Sequence, residues 1–145
     1  MKILLLEDDV ALSDLLNEHL EDKGYAVTLC TNGQDALESL IEKKYDMALL
    51  DINTPILSGI DVLKTIRKDY KNNTPAIILT AYQDTKHLKE SFENGVDDYI
   101  KKPFDLEELD QRILKLCRQF LIEQNDKIKI DENIFFESQS CQVYI

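Results

Sequence analysis

Residues 3–9 read ILLLEDD: four apolar side chains, Ile3-Leu4-Leu5-Leu6, and then three carboxylates, Glu7, Asp8 and Asp9. Successive side chains on a strand point to opposite faces, so an unbroken apolar run suits a strand covered on both sides. Met47-Ala48-Leu49-Leu50 and Ala76-Ile77-Ile78-Leu79 repeat the pattern. Two further strand candidates, Tyr25–Cys30 and Val96–Ile100, are of mixed polarity, which belongs at sheet edges.

Segments of helical period lie between these runs. Leu12, Leu15, Leu16 and Leu20 share one face, as do Leu37, Leu40 and Ile41, then Leu63, Ile66 and Tyr70, and finally Leu106, Leu109, Ile113, Leu116 and Phe120. A helix over about 84–94 has only Leu88 and Phe92 on its stripe and is expected to be loosely held. Asn32 and Asp105 are candidate N-caps, and Gly24 and Gly95 candidate helix stops. The order is strand–helix five times over, to about residue 122. Short units with right-handed crossovers give an α/β fold, a doubly wound parallel sheet with helices on both faces. Central apolar strands 1, 3 and 4 with edges 2 and 5 fit the flavodoxin-like order 2-1-3-4-5.

The 145 residues suffice for one domain with a real core. No apolar run reaches the roughly 20 residues of a membrane helix, and the N-terminus lacks a signal-peptide pattern. Cys30, Cys117 and Cys141 are odd in number and far apart, which argues for reduced thiols in a cytoplasmic protein and against a disulfide framework or a zinc site. His19 and His87 do not rescue a zinc reading. A net charge of −11 opposes binding to nucleic acid by charge alone. That charge serves solubility, or part of it is gathered in a site.

In such sheets ligands bind beyond the carboxyl ends of the strands. Standing there are Glu7-Asp8-Asp9 after strand 1, Asp51 after strand 3, Thr80 after strand 4, and Lys101-Lys102-Pro103 after strand 5. Singly, each has an ordinary reading: a solvated strand end, an Asx turn, a β-branched strand residue, surface charge. Together they are carboxylates, a hydroxyl and an amine on one rim. Two carboxylates ~4 Å apart repel by about 4 kcal/mol at a surface-like dielectric. Such a group either raises its pKa values or holds a cation, and oxygen-only ligands at an open rim suit Mg²⁺. Asp51 kept ionised beside a cation could attack phosphorus, with the ammonium neutralising phosphoryl oxygens. Asp9 lies one residue too far along and is expected to cap the first helix near Leu12. Lys101 should face the other side of its strand from Lys102.

LLLEDD, LLDINTPILSGIDVL, ILTA and DYIKKPF, in this order, resemble the receiver domain of two-component response regulators over residues 1 to about 122. The resemblance implies that Asp51 is the phosphoacceptor, taking its phosphoryl group from a sensor histidine kinase. It implies Mg²⁺ held by Glu7, Asp8, Asp51 and the backbone carbonyl of Asn53. Thr80 and Lys102 would contact the phosphoryl group, with small Ala81 leaving access, and Pro103 would follow a cis peptide bond. Tyr99 would be the switch aromatic. Pro55 and Gly59 match the family's loop, and Asn53 and Tyr82 occupy positions that tune phosphate lifetime in relatives. In OmpR/PhoB-like members the face of helix 4, strand 5 and helix 5 forms a homodimer through ion pairs; here Asp97, Asp98, Glu108, Arg112 and Arg118 are the candidates. The implied protein is a phosphorylated switch controlling transcription, with no multiple-turnover activity.

LLDINT also resembles the nucleophile motif of haloacid-dehalogenase-type phosphatases, which likewise use an aspartyl phosphate and Mg²⁺. Asn53 stands where those enzymes carry a second Asp, and the motif is on the third strand instead of the first. Both departures count against it. After residue 122 the sequence changes: Lys127–Ile130, Asn133–Phe136 and Gln142–Ile145 read as short strands, with a turn at Asp131–Asn133. They resemble the start of a winged-helix DNA-binding domain, so residues 123–145 are expected to be a linker and an incomplete effector domain, packed on the receiver or paired with a neighbouring chain. DNA contact would come only through the part not present.

Overall fold

The computed structural model describes residues 1–81 and 85–128. Its elements are β1 (Lys2–Leu6), α1 (Val10–Asp22), β2 (Ala26–Cys30), α2 (Gly33–Glu42), β3 (Met47–Asp51), α3 (Gly59–Lys68), β4 (Ala76–Ala81), α4 (Thr85–Glu93), β5 (Asp98–Lys102) and α5 (Leu106–Ile128). The strands form one sheet in the order β2-β1-β3-β4-β5, parallel throughout. The expected topology is the observed one.

Alternation along the apolar strands divides the core in two. Ile3, Leu5, Met47, Leu49, Ile77 and Leu79 face one way, onto Leu16 and Leu20 of α1 and Leu109, Ile113 and Leu116 of α5. Leu4, Leu6, Ala48, Leu50, Ala76 and Ile78 face the other way, onto Ala36 and Leu40 of α2 and Ile60, Leu63 and Ile66 of α3. Burying a large aliphatic side chain is worth about 1.5–3 kcal/mol, so these layers fix the register that brings the strand ends level. Leu6 pairs with Leu50, Asp51 with Leu79 and Ala81 with Lys102.

Side-chain caps set the helix starts. Asp9 Oδ1 accepts from the Leu12 amide at 3.1 Å, as expected, Asn32 Oδ1 from Asp35 at 2.9 Å and Ser58 Oγ from Asp61 at 3.1 Å. Asp105 precedes α5, and its carbonyl accepts from the Leu109 amide at 3.2 Å. Gly24 and Gly95 adopt positive φ, 91° and 84°, as helix stops do.

Four apolar residues assigned to helix faces lie outside the core. Leu15, Ile41, Tyr70 and Phe92 are exposed. In α1 the inward face carries Ser13, Leu16 and Leu20, leaving Leu15 to one side. Tyr70 lies past the end of α3, and among the described residues Ser91 is the buried residue of α4. Strand 5 begins two residues later than expected because Asp97 is spent on anchoring. Its amide donates to the Ala76 carbonyl at 3.1 Å, and its Oδ2 accepts from the Ala76 amide at 2.8 Å. The strand therefore runs on through Lys101, which is exposed, and Lys102, which turns to the rim.

Helix α5 continues through Ile128. The boundary expected at 122 falls inside it, and Lys127 and Ile128, read as the start of a strand, are helical. Leu121, Glu123 and Gln124 are strong helix formers, so local preference favours continuing the helix past 122. Residues 129–145, with the remaining tail strands and Cys141, lie outside the described residues, as does Tyr82.

Candidate functional site

β1 and β3 deliver their carboxylates to one rim because both strands stop there in register. Glu7 is fully buried, with its amide donating to the Cys30 carbonyl at 3.1 Å. Asp51, the last residue of β3, is 5% exposed, and Asp8 is exposed. One carboxylate oxygen from each of Glu7, Asp8 and Asp51 falls within 4.8 Å of the others. Asp9 stands apart: its carboxylate caps α1 and its amide donates to Glu7 Oε2 at 3.3 Å.

Lys102 reaches across from β5. Its Nζ lies 2.6 Å from Glu7 Oε1 and 3.2 Å from Asp51 Oδ1. Burial and then the charge of Glu7 push the Asp51 carboxyl up to about 7, while Lys102 pulls it back down. Burial works against the Lys102 ammonium, but the hydrogen bond to Glu7 and the charges of Asp51 and Glu7 outweigh it, and its pKa ends raised. One cation thus faces two buried carboxylates, and Asp51 is held near its protonation midpoint at neutral pH. A divalent cation would relieve that imbalance, and the all-oxygen donor set with one exposed member fits Mg²⁺ better than a soft metal.

Thr80 is 1% exposed near the end of β4, its hydroxyl donating to the Ala81 carbonyl at 3.4 Å. Ala81 is exposed beside Lys102, and the Lys102–Pro103 peptide bond is cis. An apolar hollow of about 330 Å³ opens here between Leu12, Ala81, Lys102, Pro103 and Phe104.

Tyr99 lies near the start of β5, away from the rim, and is half-buried. Phe92 of α4 meets its ring edge-on, centroids 5.7 Å apart, and the Arg112 guanidinium lies 5.7 Å from its centroid. The candidate dimer residues are differently engaged. Asp97 binds Arg67, at 3.4 Å, and the Ala76 amide. Arg112 Nη1 binds Asp98 at 2.9 Å and Nη2 reaches Glu108 at 3.4 Å, all within one chain. Arg118 is exposed.

Sequence reasoning passed over two residues. Arg67, half-buried, donates to the carbonyls of Gly95, at 3.3 Å, and Asn72, at 2.8 Å, tying α3 to the entrance of β5. Gly33 opens α2 against the loop after Asp51. The available signal was a glycine at a first helical position, where it favours no helix.

The chain matches the response regulator receiver domain family over residues 3–114. It is 41% identical over 140 residues to the transcriptional regulatory protein CrdR of Helicobacter pylori, covering 97% of this chain and 62% of that protein. The chain thus spans less than two thirds of that curated relative's length. Among solved structures it resembles the receiver domain of the Francisella response regulator 1452, at 34% identity and a TM-score of 0.75, covering 82% of this chain and 98% of that one. It also resembles the receiver domain of a Pseudomonas aeruginosa sensor histidine kinase described with a magnesium ion coordinated in its active site cleft. That match has 34% identity and a TM-score of 0.70, covering 81% of this chain and 94% of that one. The phosphatase reading finds no support among these relatives. Among the described residues, no helix is long and apolar enough to cross a membrane. With the 2-1-3-4-5 sheet and the carboxylate rim beneath the match, the chain belongs to the response regulator receiver domain family of two-component signalling.

Proposed function

We propose that Asp51 accepts a phosphoryl group from the phosphohistidine of a sensor histidine kinase. The observation that carries this reading is the Lys102 ammonium set between Glu7 and Asp51 on a rim of three carboxylates. An Asp51 oxygen attacks phosphorus, the P–O bond forms as the histidine P–N bond breaks, and the imidazole leaves. Glu7, Asp8, Asp51 and the Asn53 carbonyl would hold Mg²⁺, which when bound supplies neutralising charge to the phosphoryl oxygens. Lys102 is positioned to exchange its contact with Asp51 for a phosphoryl oxygen, and Thr80 to turn its hydroxyl from the Ala81 carbonyl to another. Exposed Ala81 leaves the approach open. The chain then acts as a stoichiometric acceptor, not a turnover enzyme.

The output follows as a population shift. Thr80 drawn toward the phosphoryl group leaves space behind it for Tyr99, and α4, β5 and the start of α5 rearrange. Moving such an equilibrium from 1:99 to 99:1 needs ~5.5 kcal/mol of differential interaction. The rearranged face pairs two chains, with Asp98, Glu108 and Arg112 exchanging internal ion pairs for intermolecular ones and Arg118 adding an exposed cation. Residues beyond α5 would begin an effector domain that controls transcription, as the name of the Helicobacter relative suggests for that protein.

Intact-mass spectrometry after treatment with acetyl phosphate and Mg²⁺ tests the reading. One added phosphoryl group, mapped to Asp51 and absent from Asp51→Asn, is expected. Full labelling of the variant, or sustained hydrolysis of a generic phosphate ester above ~0.1 s⁻¹, far below ordinary enzyme rates, would overturn it.

A further inference from the structure

Gly33 is the first residue of α2, immediately after its cap Asn32. A Cβ on Gly33 would lie 1.8 Å from the Leu57 carbonyl oxygen and 2.7 Å from Leu57 Cβ, so no larger residue fits unless backbone moves. The Gly33 amide donates to the Pro55 carbonyl at 3.2 Å, and the same carbonyl accepts from the Leu57 amide at 2.7 Å. That second bond closes a three-residue turn around Ile56, whose φ is 71°.

This is the rarer, positive-φ form of the γ-turn, strained for any side chain and an outlier for a β-branched one. Ile56 is 79% exposed, so no burial compensates the strain. The turn is instead enforced from outside. Thr54 Oγ1 donates to the Leu57 carbonyl at 2.8 Å, and the Gly59 amide donates to the Ile52 carbonyl at 3.2 Å. On the far side stands the α2 N-terminus, at a distance only glycine permits. The segment so held is the continuation of Asp51 through Asn53.

We propose that Gly33 is a positioning residue: it lets the start of α2 clamp the Pro55–Leu57 turn, and the clamp holds the Asn53 carbonyl at the carboxylate rim. This rests on the reading that Asn53 and Asp51 share a magnesium ion. Outer positioning groups commonly change metal affinity 10–100-fold when altered, and that loss is expected for Gly33→Ala in Mg²⁺ calorimetry.

Two further measurements are independent of phosphorylation. Ile56→Gly releases the strained turn and is expected to raise the melting temperature by about 2–6 °C; in a Gly33→Ala background, where the turn has already shifted, the gain should largely vanish. In the wild-type chain, titrating Mg²⁺ should move the Gly33 and Leu57 amide resonances with the same midpoint as those of Asp51 and Asn53. Equal gains from Ile56→Gly in both backgrounds, or a Gly33 amide that stays still while Asn53 shifts, would overturn the clamp. Should Gly33→Ala fail to fold, Ile56→Gly in the wild-type background and the amide titration decide: no rise in melting temperature, or a still Gly33 amide, counts against it. If no amide responds to Mg²⁺ and no phosphate is taken up, the metal reading has failed, and the melting comparison still judges the clamp.

Discussion

At pH 8 and without divalent ions, Asp51→Asn is expected to make the protein more stable. Asparagine keeps the size of the side chain and removes its charge. Burial, then Glu7, push the Asp51 carboxyl from 3.8 to about 7. The folded pKa lies above the unfolded one, so the native state holds the proton more tightly than the unfolded chain does. Stability from the protonated form is fully present below about 4 and is lost as pH rises through about 7. At 1.36 kcal/mol per pH unit, a separation of about three units bounds the cost of ionised Asp51 at roughly 4 kcal/mol. Asparagine forgoes the Lys102 contact at 3.2 Å and still buries an amide, so a net gain of ~1–3 kcal/mol is the working figure.

The assay is urea unfolding of both proteins at pH 5, 6, 7 and 8 in chelator, where such a gain moves the midpoint by roughly 0.5–1.5 M. The gap should open between pH 4 and 7 and stay level above. Mg²⁺ at 100 times its dissociation constant should then restore about 2.7 kcal/mol to the wild type and much less to the variant. Parallel pH profiles, or a gap that narrows as pH rises, would refute the claim that the Asp51 carboxyl is raised by its burial and by the charge of Glu7.

Lys102→Met removes the cation 2.6 Å from fully buried Glu7; thermal melts should show a loss of about 2–4 kcal/mol in chelator, recovered in large part by Mg²⁺. Asp9→Ala should cost about 1 kcal/mol as a lost cap, with phosphate uptake from acetyl phosphate unchanged. Asp8→Asn should do the reverse, weakening the Mg²⁺ dependence of uptake at little cost in stability, and equal behaviour of the two would contradict their division of labour. Asp97→Ala uncaps the Ala76 amide and releases Arg67; an unfolding free energy in urea lowered by ~1–3 kcal/mol with unaltered uptake would mark it as an anchor of β5.

The sheet was legible because its three central strands are apolar on both faces, a pattern that leaves them no edge position. The carboxylate rim was legible for the same reason, since the charges fall where those runs stop. Glu7 against Asp9 could be separated by counting from the strand end, and the cap on Leu12 bears this out. Other features depend on atoms distant in sequence. The start of β5 is set by the grip of Asp97 on Ala76, which no local pattern encodes. Leu15 and Ile41 sit one step off the buried stripe of their helices, within the angular width that a 3.6-residue period leaves undecided. The α5 terminus was misread because alternation over four residues weighed more than the helix formers before it.

The two sides of the rim differ in how firmly they are held. On the β3–α3 side, Gly59 packs so closely that a Cβ would lie 2.2 Å from the Asp51 carbonyl, and Gly33 closes on the same loop. Displacement there meets backbone. On the β4–α4 side, α4 buries Ser91 and is joined to α3 by the half-buried, solvent-accessible Lys64–Glu90 pair, and ion pairs open to solvent add little. Phe92, itself exposed, meets Tyr99 in a T-shaped contact, and the pull of Arg112 on that ring is divided with Asp98 and Glu108. Under the proposed phosphorylation, a change at Asp51 reaches the β4–α4 side through its β4 neighbours Leu79 and Thr80, and packing would give way there, where least apolar surface must be re-exposed. The weak apolar stripe of Leu88 and Phe92 is therefore the sequence counterpart of the direction in which a signal at Asp51 would travel.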